Sequence, residues 1–187
     1  FEVYFDGALN NASDEMAEGL IRNIIKHTRV LLNNPENYDS RAELAWSATI
    51  ALNGILGAGR NYGDWSSHTL EHSLSAFFDV SHGKGLSIVF PAWMKYVHKN
   101  DLNKFSRFAG KVFGIIDGSE EDRALNAITE LESFFSESGA PIRLKEIGVR
   151  RDDLPLLAGN AAIKAPFGRI MELHYEDILN IYNIAFE

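Results

Sequence analysis

The sequence predicts an all-α domain, and two observations carry that prediction. Apolar residues recur every three or four positions through most of the chain, and the runs are separated at short intervals by Gly, Pro and Asn. The alternating strand and helix patterns of a parallel-sheet protein are absent, and no convincing strand is found. Internal repeats and linker-like stretches are absent too. We therefore treat residues 1–187 as a single helical domain.

Four helices are predicted in the first half of the chain, over residues 13–33, 39–56, 64–78 and 83–97. Ser13 and Asp14 are expected to cap the first of them. The second is apolar on several faces, which favours a central and buried position. Pro91 lies inside the fourth helix and is able to kink it without ending it.

The second half of the sequence predicts shorter helical elements. Asn100 or Asp101 caps a fifth helix, which ends near Gly114. Ser119 and Asp122 form a capping-box variant for a sixth helix, and Gly139 stops it. The remaining elements are a turn-like piece over 144–148, a helix over 152–163, and a last helix from His174 or Tyr175 to Phe186.

Composition excludes several classes of function. The chain has 18 Lys and Arg against 26 Asp and Glu, a net charge of -8 and no basic patch, so we expect no nucleic acid partner. No run approaches the roughly 20 apolar residues of a membrane span. The absence of cysteine excludes disulfides, thiol catalysis and Cys-ligated zinc, so any metal must be held by His and carboxylate groups. We expect a cytoplasmic protein.

Three of the six histidines lie close together in the sequence. His68 and His72 are four positions apart, which places both on one face of a helix. His82 would lie roughly 21 Å beyond His68 along an unbroken helix, too far to share one ion. The segment Asp79-Val-Ser81 and the following glycines allow the chain to turn and bring His82 back beside His68. The other histidines, His27, His98 and His174, are expected at the surface or at helix caps.

Two alternatives from other classes remain open at this point. His68-Thr-Leu-Glu71-His72 fits the H-x-x-E-H pattern of inverted zinc peptidases, in which the two His bind zinc and the Glu is the general base. That motif needs a further Glu ligand, for which Glu132 and Glu146 are candidates. The other alternative is a helical interaction module without chemistry.

The segment from Trp65 to Gly85 resembles a signature of the iron-containing (group III) alcohol dehydrogenases. It has the paired His68 and His72, small residues at 75 and 76, and His82-Gly-Lys-Gly85 at the end. The chain also resembles the NAD(P)H-dependent butanol dehydrogenase branch of this family along most of its length. The further matching segments are Pro35-Glu-Asn-Tyr-Asp39, Ala51-Leu-Asn-Gly54 and Pro91-Ala-Trp-Met-Lys95, and the signature positions that this branch favours are Trp65, His68, Glu71, His72 and Asp79.

The resemblance implies specific roles. His68 and His82 match two ligands of Fe²⁺ or Zn²⁺, and His72 matches a catalytic histidine beside the nicotinamide and substrate. The implied fold is the helical C-terminal domain of the dehydroquinate synthase-like, iron-containing alcohol dehydrogenase fold. The implied reaction interconverts a primary alcohol and its aldehyde with NAD(H) or NADP(H), and the metal acts as a Lewis acid.

The chain also departs from that family. The family's other two metal ligands, an Asp and a His four residues later, would lie upstream of Phe1, and the N-terminal nucleotide-binding domain is missing. Asp64 has the same spacing to His68, but it belongs to the later signature and is not assigned that role. Because the chain opens at Phe1 without an initiator Met, we expect a fragment of a longer two-domain enzyme. We expect this fragment to be inactive alone and to form a homodimer through exposed apolar surface.

Overall fold

The computed structural model describes residues 1–8 and 12–187. Within these residues the regular structure is helical, and the only β-type pairing is an isolated bridge between Phe167 and Leu173. The all-α prediction is confirmed. Among the described helices, none has a stretch long and apolar enough to span a bilayer. The α-helices are α1 (Ala12–Asn33), α2 (Tyr38–Leu52), α3 (Ser66–Phe78), α4 (His82–Val97), α5 (Leu102–Phe108), α6 (Glu120–Glu137), α7 (Leu154–Ala161) and α8 (Tyr175–Phe186).

Short helical segments connect or extend these helices. A π-helical turn, Ala109–Phe113, follows α5 directly. The 3-10 segments are Ile55–Gly57, His98–Asp101, Leu144–Ile147, Arg151–Asp153 and Ala162–Lys164. The helix predicted over 152–163 is therefore α7 with a 3-10 turn at each end.

Helix α4 lies at the centre of the molecule. It packs against α3, α6 and α8, and it continues through Pro91. Ile88, Trp93 and Met94 are almost completely excluded from solvent. Burial on several sides explains why this segment is rich in large apolar residues, since each buried side chain contributes roughly 1.5–3 kcal/mol of hydrophobic stabilisation.

The prediction that the second helix is central and buried is wrong. Helix α2 packs mainly against α1, and its buried residues are Ser40 and Ser47. Trp46 is 63% exposed and Leu52 is 87% exposed. The apolar residues of α2 surround its axis without forming a stripe, so the pattern did not define which side would be covered.

The start of α1 also differs from the prediction. The helix begins at Ala12, so Ser13 and Asp14 lie inside its first turn and do not cap it. The Ser13 hydroxyl donates to the Ala58 carbonyl at 2.7 Å, and the Asp14 carboxylate accepts from Lys104. Both side chains bond to distant segments because their positions in α1 face the interior. Residues 9–11, which precede the helix, are outside the described part of the chain.

Two other caps are confirmed. The Asp101 carboxylate accepts from the Lys104 backbone N–H at 3.2 Å at the start of α5. At the start of α6 the Ser119 hydroxyl accepts from the Asp122 N–H, and the Asp122 carboxylate accepts from the Ser119 N–H, both at 3.1 Å. This reciprocal pair is the capping box that the sequence predicts.

A buried ion cluster joins α1, α5 and the loop before α3. The Lys104 ammonium donates to Asp14 at 2.6 Å, and the Arg60 guanidinium pairs with both Asp14 and Asp6. All four side chains are fully excluded from solvent. Burial opposes the ionisation of Asp14, but the hydrogen bond and charge of Lys104, with Arg60, outweigh it and hold the pKa of Asp14 below its usual value.

Candidate metal and catalytic site

The candidate site lies at the corner between α3 and α4. The two helices pack against each other and are separated only by residues 79–81. Asp79 adopts the left-handed conformation with φ of 49°, which Asp tolerates better than most residues. This turn makes His82 the first residue of α4. The turn expected between Asp79 and Gly83 is therefore present.

The turn brings three imidazole rings together. The ring centroids of His68 and His82 are 4.9 Å apart, those of His72 and His82 are 5.8 Å apart, and those of His68 and His72 are 6.4 Å apart. His72 and His82 are exposed, and His68 is half-buried. The three rings thus form a cluster that opens to solvent.

Two of these rings each contact a buried carboxylate through Nδ1. The His82 Nδ1 lies in hydrogen-bonding contact with Glu71 Oε2. The His68 Nδ1 lies 2.9 Å from Glu2 Oε2, although its N–H direction is not aligned as a hydrogen bond. In both rings Nε2 is left as the nitrogen that can bind a ligand.

The first turn of the chain positions Glu2. The Phe5 N–H donates to the Phe1 carbonyl at 2.9 Å, which makes residues 1–5 a helical turn. The Glu2 carbonyl accepts from the Asp64 N–H at 3.0 Å, and its carboxylate accepts from the His68 backbone N–H at 3.0 Å. The sequence analysis missed Glu2, because its partner is far away in the chain and no short pattern connects them.

His72 differs from the other two histidines. In the part of the chain that the structure describes, its ring has no hydrogen-bond partner, so both nitrogens remain available at the open side of the cluster. A neutral imidazole in this position can accept a proton at one nitrogen and donate one from the other.

The group of donor atoms that is close enough to hold an ion on distance alone does not include His68. Within the described residues, one oxygen of Glu71 and one nitrogen each of His72 and His82 lie within 4.8 Å of one another. The structure brings His68 to the same cluster, but distance alone does not single out the pair that the resemblance implies.

Asp64 has a structural part in the site. Its carboxylate is buried and accepts from the Ser66 N–H at 3.1 Å, the Arg169 N–H at 2.6 Å and the Ile170 N–H at 3.0 Å. It therefore fixes the start of α3 to the segment before α8. Because both carboxylate oxygens already accept backbone hydrogen bonds, Asp64 is not included among the proposed metal ligands.

An apolar cavity of about 320 Å³ adjoins His68. Its apolar lining comes from the first turn, α4 and the end of α6, and consists of Phe1, Leu86, Phe90, Phe135 and Ala140. The Trp65 ring lies 5.0 Å from the His68 ring and is not part of the cavity lining. The cluster thus has both an imidazole-rich part and an apolar part.

The three isolated histidines have local contacts. The His27 Nδ1 lies 3.0 Å from the Ser40 hydroxyl, and His174 is the exposed N-cap residue of α8. His98 is buried and its Nδ1 lies 2.8 Å from the Lys95 carbonyl at the end of α4. His98 is not at the surface, but it is the C-cap residue of α4, which is the other position expected for it.

The sequence as a whole identifies the family. Residues 1–186 match the family model described as the Fe-containing alcohol dehydrogenase family, C-terminal. The chain belongs to this family. The chain is 34% identical, over an alignment of 191 positions, to the NADH-dependent butanol dehydrogenase A of Clostridium acetobutylicum, and the match covers 100% of this chain and 49% of that protein.

Other relatives show the same relation. The NADPH-dependent aldehyde reductase YqhD of Escherichia coli is 37% identical over 144 residues, which is 77% of this chain and 37% of that protein. The crystal structure of a Thermotoga maritima NADH-dependent butanol dehydrogenase A superimposes with a TM-score of 0.95 at 44% identity, covering 100% of this chain and 49% of that one. The chain thus spans about half the length of the two butanol dehydrogenases, and its match to YqhD covers 37% of that protein.

The family match confirms the fold that the resemblance implies and does not favour the zinc peptidase. Glu71 is fully buried, which is a poor position for a base that must activate a water molecule. The two Glu residues nominated as further ligands have other partners: Glu132 binds Lys95 and Arg143, and Glu146 accepts from the Ile142 N–H. Within the described residues, neither Glu132 nor Glu146 belongs to a group of side chains that could hold a metal ion.

Proposed function

We propose that this chain is the metal-binding domain of a longer two-domain oxidoreductase that interconverts a primary alcohol and its aldehyde with NAD(H) or NADP(H). The observation that carries the proposal is the cluster of three imidazoles at the α3 and α4 corner in a chain of the Fe-containing alcohol dehydrogenase family. Relatives named as NADH-dependent butanol dehydrogenase and NADPH-dependent aldehyde reductase support this reaction class. Which nicotinamide cofactor is used depends on the proposed second domain.

His68 and His82 are the proposed ligands of a divalent ion, Fe²⁺ or Zn²⁺. The donor set fits such an ion, because imidazole nitrogen suits both metals and the Nδ1 contacts leave Nε2 available in each ring. Catalytic metal sites usually have at least three protein ligands, so two imidazoles form an incomplete site. We infer that residues preceding Phe1 in the longer protein supply the rest. Bound there, the ion would act as a Lewis acid on the alcohol or aldehyde oxygen.

His72 is the proposed catalytic residue. It lies one helical turn from His68, and its ring has no fixed partner in the described residues. At the open side of the cluster one of its ring nitrogens would pass a proton between the substrate oxygen and solvent. The apolar cavity beside His68 supports a substrate whose unreactive part is an alkyl chain.

Three further parts of the proposal concern the whole protein. We expect the 187-residue chain to be inactive alone, since it spans about half the length of the butanol dehydrogenases it matches and holds only two of the proposed ligands. A homodimer is supported by exposed apolar residues such as Trp46 and Leu52. A cytoplasmic location rests on the cysteine-free composition.

Isothermal titration with Zn²⁺, and anaerobically with Fe²⁺, tests the proposal. We would compare the 187-residue chain with a version extended N-terminally through its gene. The extended protein should bind one ion tightly and oxidise NADH or NADPH with an aliphatic aldehyde. The short chain should bind weakly and be inactive.

His68→Ala in the extended protein should weaken binding at least ~100-fold, consistent with the loss of one of few ligands. His174→Ala, at the N-terminus of α8, is the matched control and should bind normally. Tight stoichiometric binding by the short chain would show that the ligand assignment is wrong. An extended protein that binds no ion and has no activity would instead support a helical interaction module.

A further inference from the structure

Glu71 lies beneath the histidine cluster and is completely buried. Its side chain has 0% exposure, whereas that of His82 is 48% exposed. Oε2 contacts the His82 Nδ1, and Oε1 accepts from the Ser75 hydroxyl one turn later on α3. A carboxylate without solvent requires such partners, because burial of an unpaired charge is costly.

Gly85 provides the space for this carboxylate. A Cβ at Gly85 would lie 2.6 Å from both Cγ and Oε1 of Glu71, too close for any side chain to fit without displacing Glu71. A Cβ at Gly83 would meet no atom within 4 Å. The two glycines of His82-Gly-Lys-Gly85 therefore differ, and only Gly85 is required by a close approach.

Two interpretations of Glu71 are possible on distance alone. It could bind an ion directly together with His72 and His82, since their donor atoms lie within 4.8 Å of one another. Each of its oxygens already has a partner, however, and one of these partners is His82 itself. Glu2 has a corresponding position next to the Nδ1 of His68, also from a buried site. A recurring carboxylate at Nδ1 indicates orientation of the ring and not coordination.

We propose that Glu71 is a positioning residue that holds His82 through Nδ1 and presents Nε2 to the metal, and that Gly85 is glycine because Glu71 occupies the space of its side chain. This inference rests on the proposed function only for the identity of what binds at Nε2. The orientation of His82 is a property of the metal-free chain. Measuring the orientation of the His82 ring without metal therefore tests this inference separately from the proposed function.

Nitrogen-15 NMR of the imidazoles in the metal-free chain, at a pH about 1.5 units above the usual His pKa, reads the orientation directly. His82 should carry its proton on Nδ1 in the wild type. Glu71→Gln should keep that tautomer, because the amide oxygen still accepts from Nδ1. Glu71→Ala and Gly85→Ala should shift the proton to Nε2, while Gly83→Ala should match the wild type. A proton on Nε2 in the wild type, or no change in Glu71→Ala, overturns the proposal.

Metal affinity in the N-terminally extended protein distinguishes positioning from coordination. Co²⁺ serves as the probe, because its visible absorption reports the ligand set. If Glu71 only positions His82, Glu71→Ala should lower the Co²⁺ affinity by about 10–100-fold. Glu71→Gln should lower that affinity much less and leave the absorption band unchanged. Equal losses in both variants, with an altered band in Glu71→Gln, would show that Glu71 is a ligand. If the wild type binds no Co²⁺ while the NMR result holds, the proposed function fails and the positioning of His82 stands.

Discussion

Asp64 shows at the residue scale how one carboxylate fixes two distant parts of the chain. One oxygen accepts from the Ser66 N–H in the first turn of α3, and the other accepts from the N–H groups of Arg169 and Ile170. These are charge-assisted hydrogen bonds in a buried position. The start of α3, and with it the position of His68, depends on them.

We expect Asp64→Ala to lower the free energy of unfolding by about 2–3 kcal/mol, because the N–H groups of Ser66, Arg169 and Ile170 lose a charged acceptor. Urea denaturation followed by circular dichroism would measure the change. Asp117→Ala is the matched control, since Asp117 is exposed and removal of its carboxylate should change stability by less than ~0.5 kcal/mol. Equal stability of the two variants would contradict this role of Asp64.

Individual side-chain roles were only partly predictable from the sequence. The proximity of His68, His72 and His82 followed from a four-residue spacing and one predicted turn, both of which are local features. The contact between Glu2 and His68 and the bonds from Asp64 to residues 169 and 170 join segments far apart in the chain. No periodicity encodes such pairs, because they arise only when the helices pack.

The capping box at the start of α6 is an interaction at the scale of one element. The Ser119 hydroxyl and the Asp122 carboxylate satisfy N–H groups that the first turn of a helix leaves without partners. Ser119→Ala should cost about 1 kcal/mol of folding stability, as measured by urea denaturation. Ser136→Ala, at an exposed position near the end of the same helix, should be neutral or slightly stabilising. A neutral Ser119→Ala would show that the cap does not contribute.

The cluster of Asp14, Lys104 and Arg60 links α1 to α5 and to the loop before α3. Asp14→Asn leaves two buried cations without their shared anion, so we expect a loss of about 3 kcal/mol at neutral pH. Because the pKa of Asp14 is lowered by folding, its contribution is present above the unfolded pKa of about 4 and is lost as the pH falls below it.

Urea denaturation at neutral pH and at a pH near 3 tests the direction of this pH dependence. The difference between wild type and Asp14→Asn should shrink in acid, because the Asp14 carboxyl of the unfolded chain is then largely protonated and folding must release that proton. Asp39→Asn, at an exposed position in the first turn of α2, should change little at either pH. A difference that is constant or grows in acid would contradict the role given to this cluster.

Helix ends and helix burial differed in how far the sequence predicted them. The starts of α5 and α6 followed from Asp101 and Ser119, because a cap is formed by residues within one turn. The burial of α2 was predicted wrongly, since its apolar residues surround the axis and its exposure depends on what packs against it. α4 has a similar apolar character, and its central position follows from its neighbours α3, α6 and α8.

The interior of the whole molecule contains two tyrosines with strongly shifted ionisation. Burial, together with a hydrogen bond from the Tyr4 hydroxyl to Glu18 at 2.8 Å, raises the pKa of Tyr4. Burial also raises the pKa of Tyr182, whose hydroxyl donates to the Leu70 carbonyl at 2.7 Å beneath α3. Tyr38 and Tyr62 are 79% and 80% exposed, so the chain carries both buried and exposed phenols.

The shifted phenols predict how the fold responds to alkaline pH. A phenol whose pKa is raised by folding contributes stability below the unfolded pKa of about 10, and this stability is lost as the pH rises above that value. The phenolates of Tyr4 and Tyr182 should therefore appear only when the chain unfolds. An absorbance titration should show early ionisation of the exposed tyrosines, followed by a later step that coincides with loss of the helical circular dichroism signal.

Two variants assign these steps to particular tyrosines. Tyr182→Phe should reduce the amplitude of the later step, and Tyr62→Phe should reduce the amplitude of the early step. Ionisation of all six tyrosines while the helical signal is intact would contradict the burial that the structure shows.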